Sequence, residues 1–459
     1  MSITPKLFLT SSLKNIYIGS SIARILAEAI KAVEPITIFH DAITFHDTCL
    51  SIAGKEIEID PNGRIFLVGA GKASAAMAQA ILSIIGERVS SGYIITKPGD
   101  GEQNMYPGMG EVKISCASHP LPDETSIAAT NELIESLDGL TSRDTVLVLL
   151  SGGGSSLLTK PSPGISIGDI RLVTDLFLRV GANIQELNTV RKHLDSIKGG
   201  GLARHLFPAR AVVLIISDVI NDPLSVIASG PCYPDPSTFR DSLQIIEHYK
   251  LSLEMPSSVI NHLTRGVSGL VAETSKSGDE IFSNVSHFIL ANVETAMRAA
   301  LAEARNQGFK ALLLTSKLKG EAREAGKALA FLIRSIQAPN RSVEQPICIV
   351  LGGETTVRVT GTGLGGRNLE LALSAVDELG GVKNVVLVTL ATDGGDGPTN
   401  AAGAVVTGIT QSTATGLGLN AADYLSNNDS YNYFLSLEDL IITGPTLTNV
   451  NDLVLLLIY

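Results

Sequence analysis

From Ile22 onward, apolar residues recur at Ile25, Leu26, Ile30 and Val33, the spacing of one face of a helix. Pro35 ends the stripe, because proline has no N–H to donate and its ring clashes with the preceding turn. This predicts an outer-layer helix. Farther along, the stripes give way to short unbroken apolar runs: RIFLVG from Arg64, GYIIT from Gly92, TVLVLL from Thr145 and AVVLIIS from Ala211. Runs of this kind, alternating with helical patterns, predict buried parallel strands. They resume as HFILAN from His287, KALLLT from Lys310, PICIVLGG from Pro346, TTVRVT from Thr355, NVVLVTLAT from Asn384 and DLVLLLIY from Asp452. Between the two series lies the Pro-rich stretch GPCYPDPSTF, Gly230 to Phe239, a place for a turn or domain connection. The pattern therefore predicts two α/β domains, residues 1–245 and 246–459. The weakly patterned segment Ser257 to Ser283 reads as a linker or helical insert, and no fixed-period repeat is evident.

Composition narrows the class of partner. The 459 residues are 44% hydrophobic and 18% charged, which supports extensive burial and argues against a disordered or fibrous chain. A net charge of −11 leaves no general basic field for nucleic acid or an anionic membrane, so a small-molecule partner is favoured, with a local basic pocket still allowed. Cys49, Cys116, Cys232 and Cys348 stand far apart without a CxxC pair, which signals neither a zinc motif nor a disulfide framework and fits a reducing cytoplasm. The start, MSITPKLFLTSSLKN, lacks a long apolar region, and LVLLLIY at the end is far shorter than the roughly 20 residues that span a bilayer. A cytoplasmic location is expected, and the assembly is left open with a homodimer as candidate.

Strands that end in Gly, Lys, Ser, Asp or Glu put those groups at the carboxyl edge of a sheet, where open α/β folds bind ligands. GAGKASAAMAQA, Gly69 to Ala80, follows a strong strand and opens a small-residue helix. Its backbone N–H groups and Lys72 are placed to face one anion, the alternative being a tight turn with a solvated lysine. It is not a Walker A loop, since Phe66 and Ala73 stand where glycine and a hydroxyl are needed. In SGGGSSLL, Ser151 to Leu158, three glycines permit positive φ and close approach of amides to phosphate or carboxylate, a flexible turn being the alternative. Arg191, Lys192, His193 and Lys198 crowd positive charge into VRKHLDSIKGGGLA, and Asp218 and Asp222 follow a strand. An arginine fork suits a carboxylate, and strand-end aspartates suit a metal–nucleotide; taken singly, each residue has a surface reading too, and His193 a structural one.

GGETTVRVTGTGLGGRNLELAL, Gly352 to Leu373, contains GxGxxG at Gly361, Gly363 and Gly366. Asp393, thirty residues beyond Gly363, imitates the acidic ribose contact of a dinucleotide fold, which keeps an NAD(P)-dependent hydroxypyruvate reductase open as the rival reading. Arg367 starts the next helix, where its charge opposes the helix dipole unless an anion is present, so it reads as ligand-directed. Finally, ATDGGDGPTNAAGA presents Asp393 and Asp396 on a glycine-rich backbone suited to Mg²⁺ or a nucleotide. It is no EF-hand, because position 12 counted from Asp393 is Ala404, and for Asp396 a simple Asp-Gly turn competes.

In order along the chain, GAGKASAAMA, HPLPDE (His119 to Glu124), SGGGSSLL, VRKHLDSIKGG, ASGPCYPDPSTF, GEAREAG, GGETTV, GGRNLELAL, TDGGDGPTNAAGA and TGPTLTNVNDL resemble the class II glycerate kinases, whose C-terminal half is the MOFRL domain. The resemblance runs from Ala32 to Leu453. It implies a Rossmann-like first domain, a MOFRL-type second domain, and an active site in the cleft between them. It implies transfer of the γ-phosphoryl group of ATP, with Mg²⁺, to the 2-hydroxyl of D-glycerate. On this reading Lys72 and Arg367 are catalytic. Arg191, Ser151, Gly152, Gly153 and Gly154 hold the acid, while Gly69, Gly71, Glu354, Gly363, Gly365, Gly366 and Asp396 hold the nucleotide. Asp218 and Asp393 are the metal candidates. The chain departs from the family where NDPLSV, Asn221 to Val226, replaces a more acidic GDDPS-like stretch, and at Leu447, where glycine is usual. A third reading, a nucleotide sensor, would bind ATP without glycerate-dependent ADP release.

Overall fold

The computed structural model describes residues 3–99, 106, 108–337 and 346–459. The chain forms two compact units, Ile38–Leu290 and a second made of Met1–Thr37 with Ala291–Tyr459. The boundary expected near residue 245 is therefore displaced. Helices Phe239–His248 and Ser257–Val267 bury Phe239, Ile246, Val259 and Leu263 in one apolar cluster with Phe177, Leu187 and Val190, so the Pro-rich stretch is internal to the first unit. The weakly patterned segment after it is partly this second helix. Likewise the opening helix, Gly19–Lys31, does not belong with the sequence that follows it. Its stripe Ile22, Ile25, Leu26 and Ile30 is fully buried, and it packs on helix Val293–Asn306, whose inward face carries the small residues Ala296, Ala300 and Ala304. Pro35 ends nothing but the stripe: it opens a new helix, Pro35–Ala42, at a position where a missing N–H costs no hydrogen bond.

In the unit Ile38–Leu290, an antiparallel sheet of β1 (Ile43–His46), β2 (Cys49–Ile52) and β3 (Lys55–Glu58) precedes the main sheet. The main sheet comprises β4 (Ile65–Ala70), β5 (Val89–Thr96), β6 (Val112–Cys116), β7 (Thr145–Leu150), β8 (Arg210–Ile216) and β9 (Val285–Ala291), in the order β6-β5-β4-β7-β8-β9. The pairs β4/β5, β4/β7, β5/β6 and β7/β8 are parallel. Helix Ser74–Ile85 packs on β4, β5 and β7, while Phe66, Val68 and Ala70 of β4 share a cluster with Leu133, Leu157, Leu202 and Leu206. With both faces covered, β4 and β7 are buried at every residue, which is why they read as unbroken apolar runs. β4 and β7 pair without a register shift from Ile65↔Thr145 to Ala70↔Leu150, so they end side by side where the strand order reverses. In doubly wound sheets that reversal opens the ligand crevice.

The other unit holds β10 (Lys310–Leu318), β11 (Ile347–Gly353), β12 (Val385–Ala391), β13 (Gly403–Thr407), β14 (Leu440–Ile441) and β15 (Asp452–Ile458), ordered β10-β11-β15-β12-β13-β14. β10 and β11 are parallel, but the fully buried β15 runs antiparallel between β11 and β12. TTVRVT is not a strand. Only Thr356 makes a bridge, to Glu321: Val357 packs partly against the core, but the inward side ends there and Val359 is 72% exposed. Among the described residues, no helix is long and apolar enough to cross a membrane.

Because β15 is packed from both sides, Leu456→Ala is expected to cost about 2–5 kcal/mol. Thermal unfolding of the variant reads this as a lowered midpoint; an unchanged midpoint would contradict the central place of this strand.

Candidate active site

The loops after β4 and β7 are locked together by contacts that leave no space for a β-carbon. A Cβ on Gly71, at φ 145°, would lie 2.1 Å from Ser151 Oγ. That hydroxyl accepts the Ala73 N–H at 3.0 Å, and the Lys72 N–H donates to the Gly152 carbonyl at 2.8 Å. Ser151 is 1% exposed, and its side chain staples the two loops. Gly69 lies within β4, where a Cβ would meet the Leu149 carbonyl oxygen at 2.6 Å, so strand packing by itself requires glycine there. Gly154 lets Ala228 approach, with a Cβ–Cβ distance that would be 2.9 Å. Gly153, at φ 82°, takes the left-handed conformation that glycine adopts without strain, and its open side is filled by the His119 ring and the Lys72 stem.

Helix Ile184–His193 brings Arg191 to the same region. The helix is anchored at its start by an Asn183–Glu186 capping box, and Asn188 links through Ser229 (3.2 Å) to Ser155 (2.7 Å) in the glycine loop. Arg191 is three residues on from Asn188, hence on the same helix face. Burial lowers the Arg191 pKa, Asp195 partly offsetting it, and Nε is buried with no hydrogen-bond partner. An unpaired buried guanidinium nitrogen is costly, and an anionic ligand would relieve that cost. The neighbouring cations are committed to the fold. Lys198 donates to the carbonyls of Ser155 and Leu158 and pairs with Asp195 at 3.1 Å, Lys192 pairs with Asp235 at 3.3 Å, and His193 sits between the Thr189 carbonyl (2.7 Å) and Glu273 (2.8 Å). Asp218 follows β8 and is half-buried, at the head of a turn in which Asn221, Asp222, Ala228 and Ser229 all take positive φ.

In the unit that contains the second half of the chain, Arg367 finds its anion within the protein. Its Nε and Nη2 donate to Asp452 at 2.5 and 3.0 Å, and Nη1 meets Glu354 at 2.9 Å. Burial opposes the charge of Arg367, but the two carboxylates outweigh it and raise the pKa. Glu354, expected at a nucleotide, thus pairs with Arg367 first, although it remains 44% exposed. Asp396, expected there too, is 1% exposed and accepts the N–H groups of Asn368 (3.1 Å) and Leu369 (2.8 Å) at the start of helix Arg367–Leu379. It caps the helix start. Burial pushes its pKa up to about 7 despite those amides, with Asp452 adding to the rise.

The GxGxxG glycines are likewise used by the chain itself. Cβ atoms on Gly361, Gly363 and Gly365 would fall 2.2–2.4 Å from Asn427, Asp429 and Ser430, and one on Gly366 would fall 2.4 Å from Asp396. The motif does not follow a strand, since β11 ends at Gly353, so the dinucleotide fingerprint lacks the tight strand-to-helix turn it requires. The reductase reading loses its structural support with it. Asp393 follows β12 and is half-buried, accepting the Gly395 N–H at 3.2 Å. Leu447, in the place of a usual glycine, adopts φ 62°. Among the described residues, no group of three or more His, Cys, Asp or Glu is gathered around a metal position.

Sequence reasoning missed Asp452 as the partner of Arg367. Its signal was a carboxylate directly before an apolar run in NVNDLVLLLIY, a place from which a buried strand carries it inward.

The MOFRL family model matches residues 347–452, and a model described as a domain of unknown function, DUF4147, matches residues 21–264. The chain is 43% identical over 395 residues to the D-glycerate 2-kinase of Thermotoga maritima, covering 86% of this chain and 91% of that one. It is 41% identical over 423 residues to an Agrobacterium vitis protein with the provisional name of hydroxypyruvate reductase, covering 92% and 93%. A solved glycerate kinase structure from Thermotoga maritima matches with a TM-score of 0.81 at 40% identity, over 95% of this chain and 98% of that one.

Asp396 binds its proton more tightly in the folded state, near pH 7, than in the unfolded chain, where a carboxyl titrates near about 3.9. The folded state holds the extra proton across that window, so the stability contributed here declines as pH rises from about 4 to 7. Asp396→Asn cannot ionise. Its thermal midpoint, relative to the natural protein, is expected to rise over the same window, and parallel curves would contradict the inward placement of this carboxylate.

Proposed function

Because the chain belongs to the MOFRL-family glycerate kinases, we propose that it transfers the γ-phosphoryl group of ATP to the 2-hydroxyl of D-glycerate, giving 2-phosphoglycerate and ADP. In that reaction the hydroxyl oxygen bonds to the γ-phosphorus as the bond to the β,γ-bridging oxygen breaks. There is little covalent work for the protein, whose tasks are alignment and neutralisation of charge. The observation that carries the reading is the buried, unpartnered Nε of Arg191 beside a glycine loop at the switch point of a doubly wound sheet. A carboxylate is the ligand for which a guanidinium fork is built.

Lys72, at the same sheet edge, supplies a point charge for the phosphoryl group in the manner of a phosphate-binding lysine. For Arg367 the proposal is narrower: with Nε and Nη2 committed to Asp452, the Nη1 edge beside Glu354 is the part left to meet phosphate oxygens. Mg²⁺ is commonly held by one or two carboxylates with the substrate's own phosphates, so single strand-end aspartates fit it without a three-ligand cage. Asp218 in one unit or Asp393 in the other is the proposed contributor, and the ion, when bound, would offset phosphate charge. The four cysteines, far apart in sequence and without a CxxC pair, agree with a reducing compartment, and a cytoplasmic location is part of the same reading.

Incubation with ATP, Mg²⁺ and D-glycerate, followed by ³¹P NMR, is expected to show 2-phosphoglycerate; 3-phosphoglycerate would overturn the regiochemistry, and no product the activity. Lys72→Ala is expected to lower kcat by about 10²-fold or more, the scale of losing one electrostatic contact to the transition state. Full activity in a folded Lys72→Ala protein would remove Lys72 from the site.

A further inference from the structure

His119 enters the active site by a route that packing alone does not require. It follows β6, the edge strand of its sheet, and three strand spacings, about 14 Å, separate β6 from β7. Yet its ring lies against Gly153, in the loop after β7: a Cβ on Gly153 would stand 2.9 Å from His119 Cδ2 and 3.0 Å from Nε2. Lys72 Cγ lies 3.4 Å from that same point, so the imidazole and the lysine stem share one small space at the switch point.

The loop that carries His119 is held firmly on both sides. Before it, the Ala117 N–H donates to the Thr96 carbonyl at 2.9 Å and the Ser118 N–H to Thr125 Oγ1 at 3.2 Å. After it, the Pro122 carbonyl accepts from Arg171 Nε at 2.6 Å, and Asp123 caps helix Glu124–Glu135 through a capping box. The anchors point a partly exposed imidazole at the glycine loop, and Gly153 gives up its Cβ and takes a left-handed φ to admit it. An apolar residue would fill such a space equally well. What imidazole adds is a nitrogen that accepts a proton near neutrality.

We propose that His119 is a further catalytic residue, accepting the proton of the glycerate 2-hydroxyl on Nε2 as that oxygen bonds to the γ-phosphorus and ADP departs. The proton then leaves from the imidazolium to solvent when the product is released. Lys72 approaches the same point from the loop after β4, and Gly153 meets the ring from the loop after β7. The proposal rests on the kinase reading above, and adds to it the group that activates the nucleophile, a task that contributes about 10²–10⁴-fold.

His119→Gln keeps much of the ring's volume and is expected to lower kcat by at least about 10²-fold. The KM values for glycerate and ATP and the thermal midpoint are expected to stay near those of the natural protein, a split that a packing role would not give. In the natural protein, D-glycerate with a non-hydrolysable ATP analogue is expected to protect His119 from diethyl pyrocarbonate, read by mass spectrometry, which needs no variant to fold. A His119→Gln enzyme with kcat within twofold of the natural one would overturn the role, as would modification of His119 at the same rate with and without both ligands. A natural protein that makes no 2-phosphoglycerate sinks the kinase reading itself, so the two failures are distinguishable.

Discussion

The first unit depends on one close approach of backbone to side chain, Gly71 against Ser151. Two strands that end in register deliver two loops to one point, and only a residue without Cβ allows them to interlock. The contact fixes Lys72, whose own N–H is tied to Gly152, and it leaves Gly153 and Gly154 to admit His119 on one side and the Ala228 turn on the other. The glycines thus do two things at once. They close the loops onto the fold, and they put a lysine, an imidazole and backbone at the place where a doubly wound sheet opens to a ligand.

Charge in the other unit is organised on a different principle. Arg367, Asp452, Glu354 and Asp396 gather at the start of one helix and one strand, and three carboxylates face one guanidinium. Burial raises the pKa of Asp452 and Arg367 offsets part of that rise, while Asp452 in turn adds to the rise at Asp396, so the one guanidinium does not neutralise the whole cluster. Such clusters fix geometry more than they stabilise, because the desolvation of each charge offsets much of the attraction. An arginine so oriented presents its remaining edge with little conformational freedom to lose.

The strands of the main sheet were legible because both faces are buried, so burial wrote itself as unbroken apolar runs at Arg64, Thr145 and Ala211. The same rule could not tell direction, and β15, antiparallel between two neighbours, reads no differently from a parallel strand. Alternation misled at TTVRVT, where Thr355 and Val357 turn inward but the segment has no ladder partner among the described residues beyond the single bridge at Thr356. The joining of residues 1–37 to the second half was invisible, because a helical stripe states that it needs an apolar partner and not which one. Around the switch point, Lys72 and Arg191 could be singled out from charge beside glycine. The packing contacts of Ser151, Gly69 and Asp396 were not legible, since a residue that packs against its own chain and one that approaches a ligand leave the same trace in a glycine-rich motif. His119 stood in a quoted motif without a role, because only the fold brings it across two strands to Gly153.

The central claim is that the guanidinium of Arg191, whose Nε is buried without a hydrogen-bond partner, receives the carboxylate of a small hydroxy acid. Calorimetric titration of D-glycerate into the natural protein and into Arg191→Met tests it without turnover. The account predicts at least about tenfold weaker binding of the acid in the variant, about 1.4 kcal/mol, with the affinity for a non-hydrolysable ATP analogue retained. Equal glycerate affinity in the two proteins would contradict it.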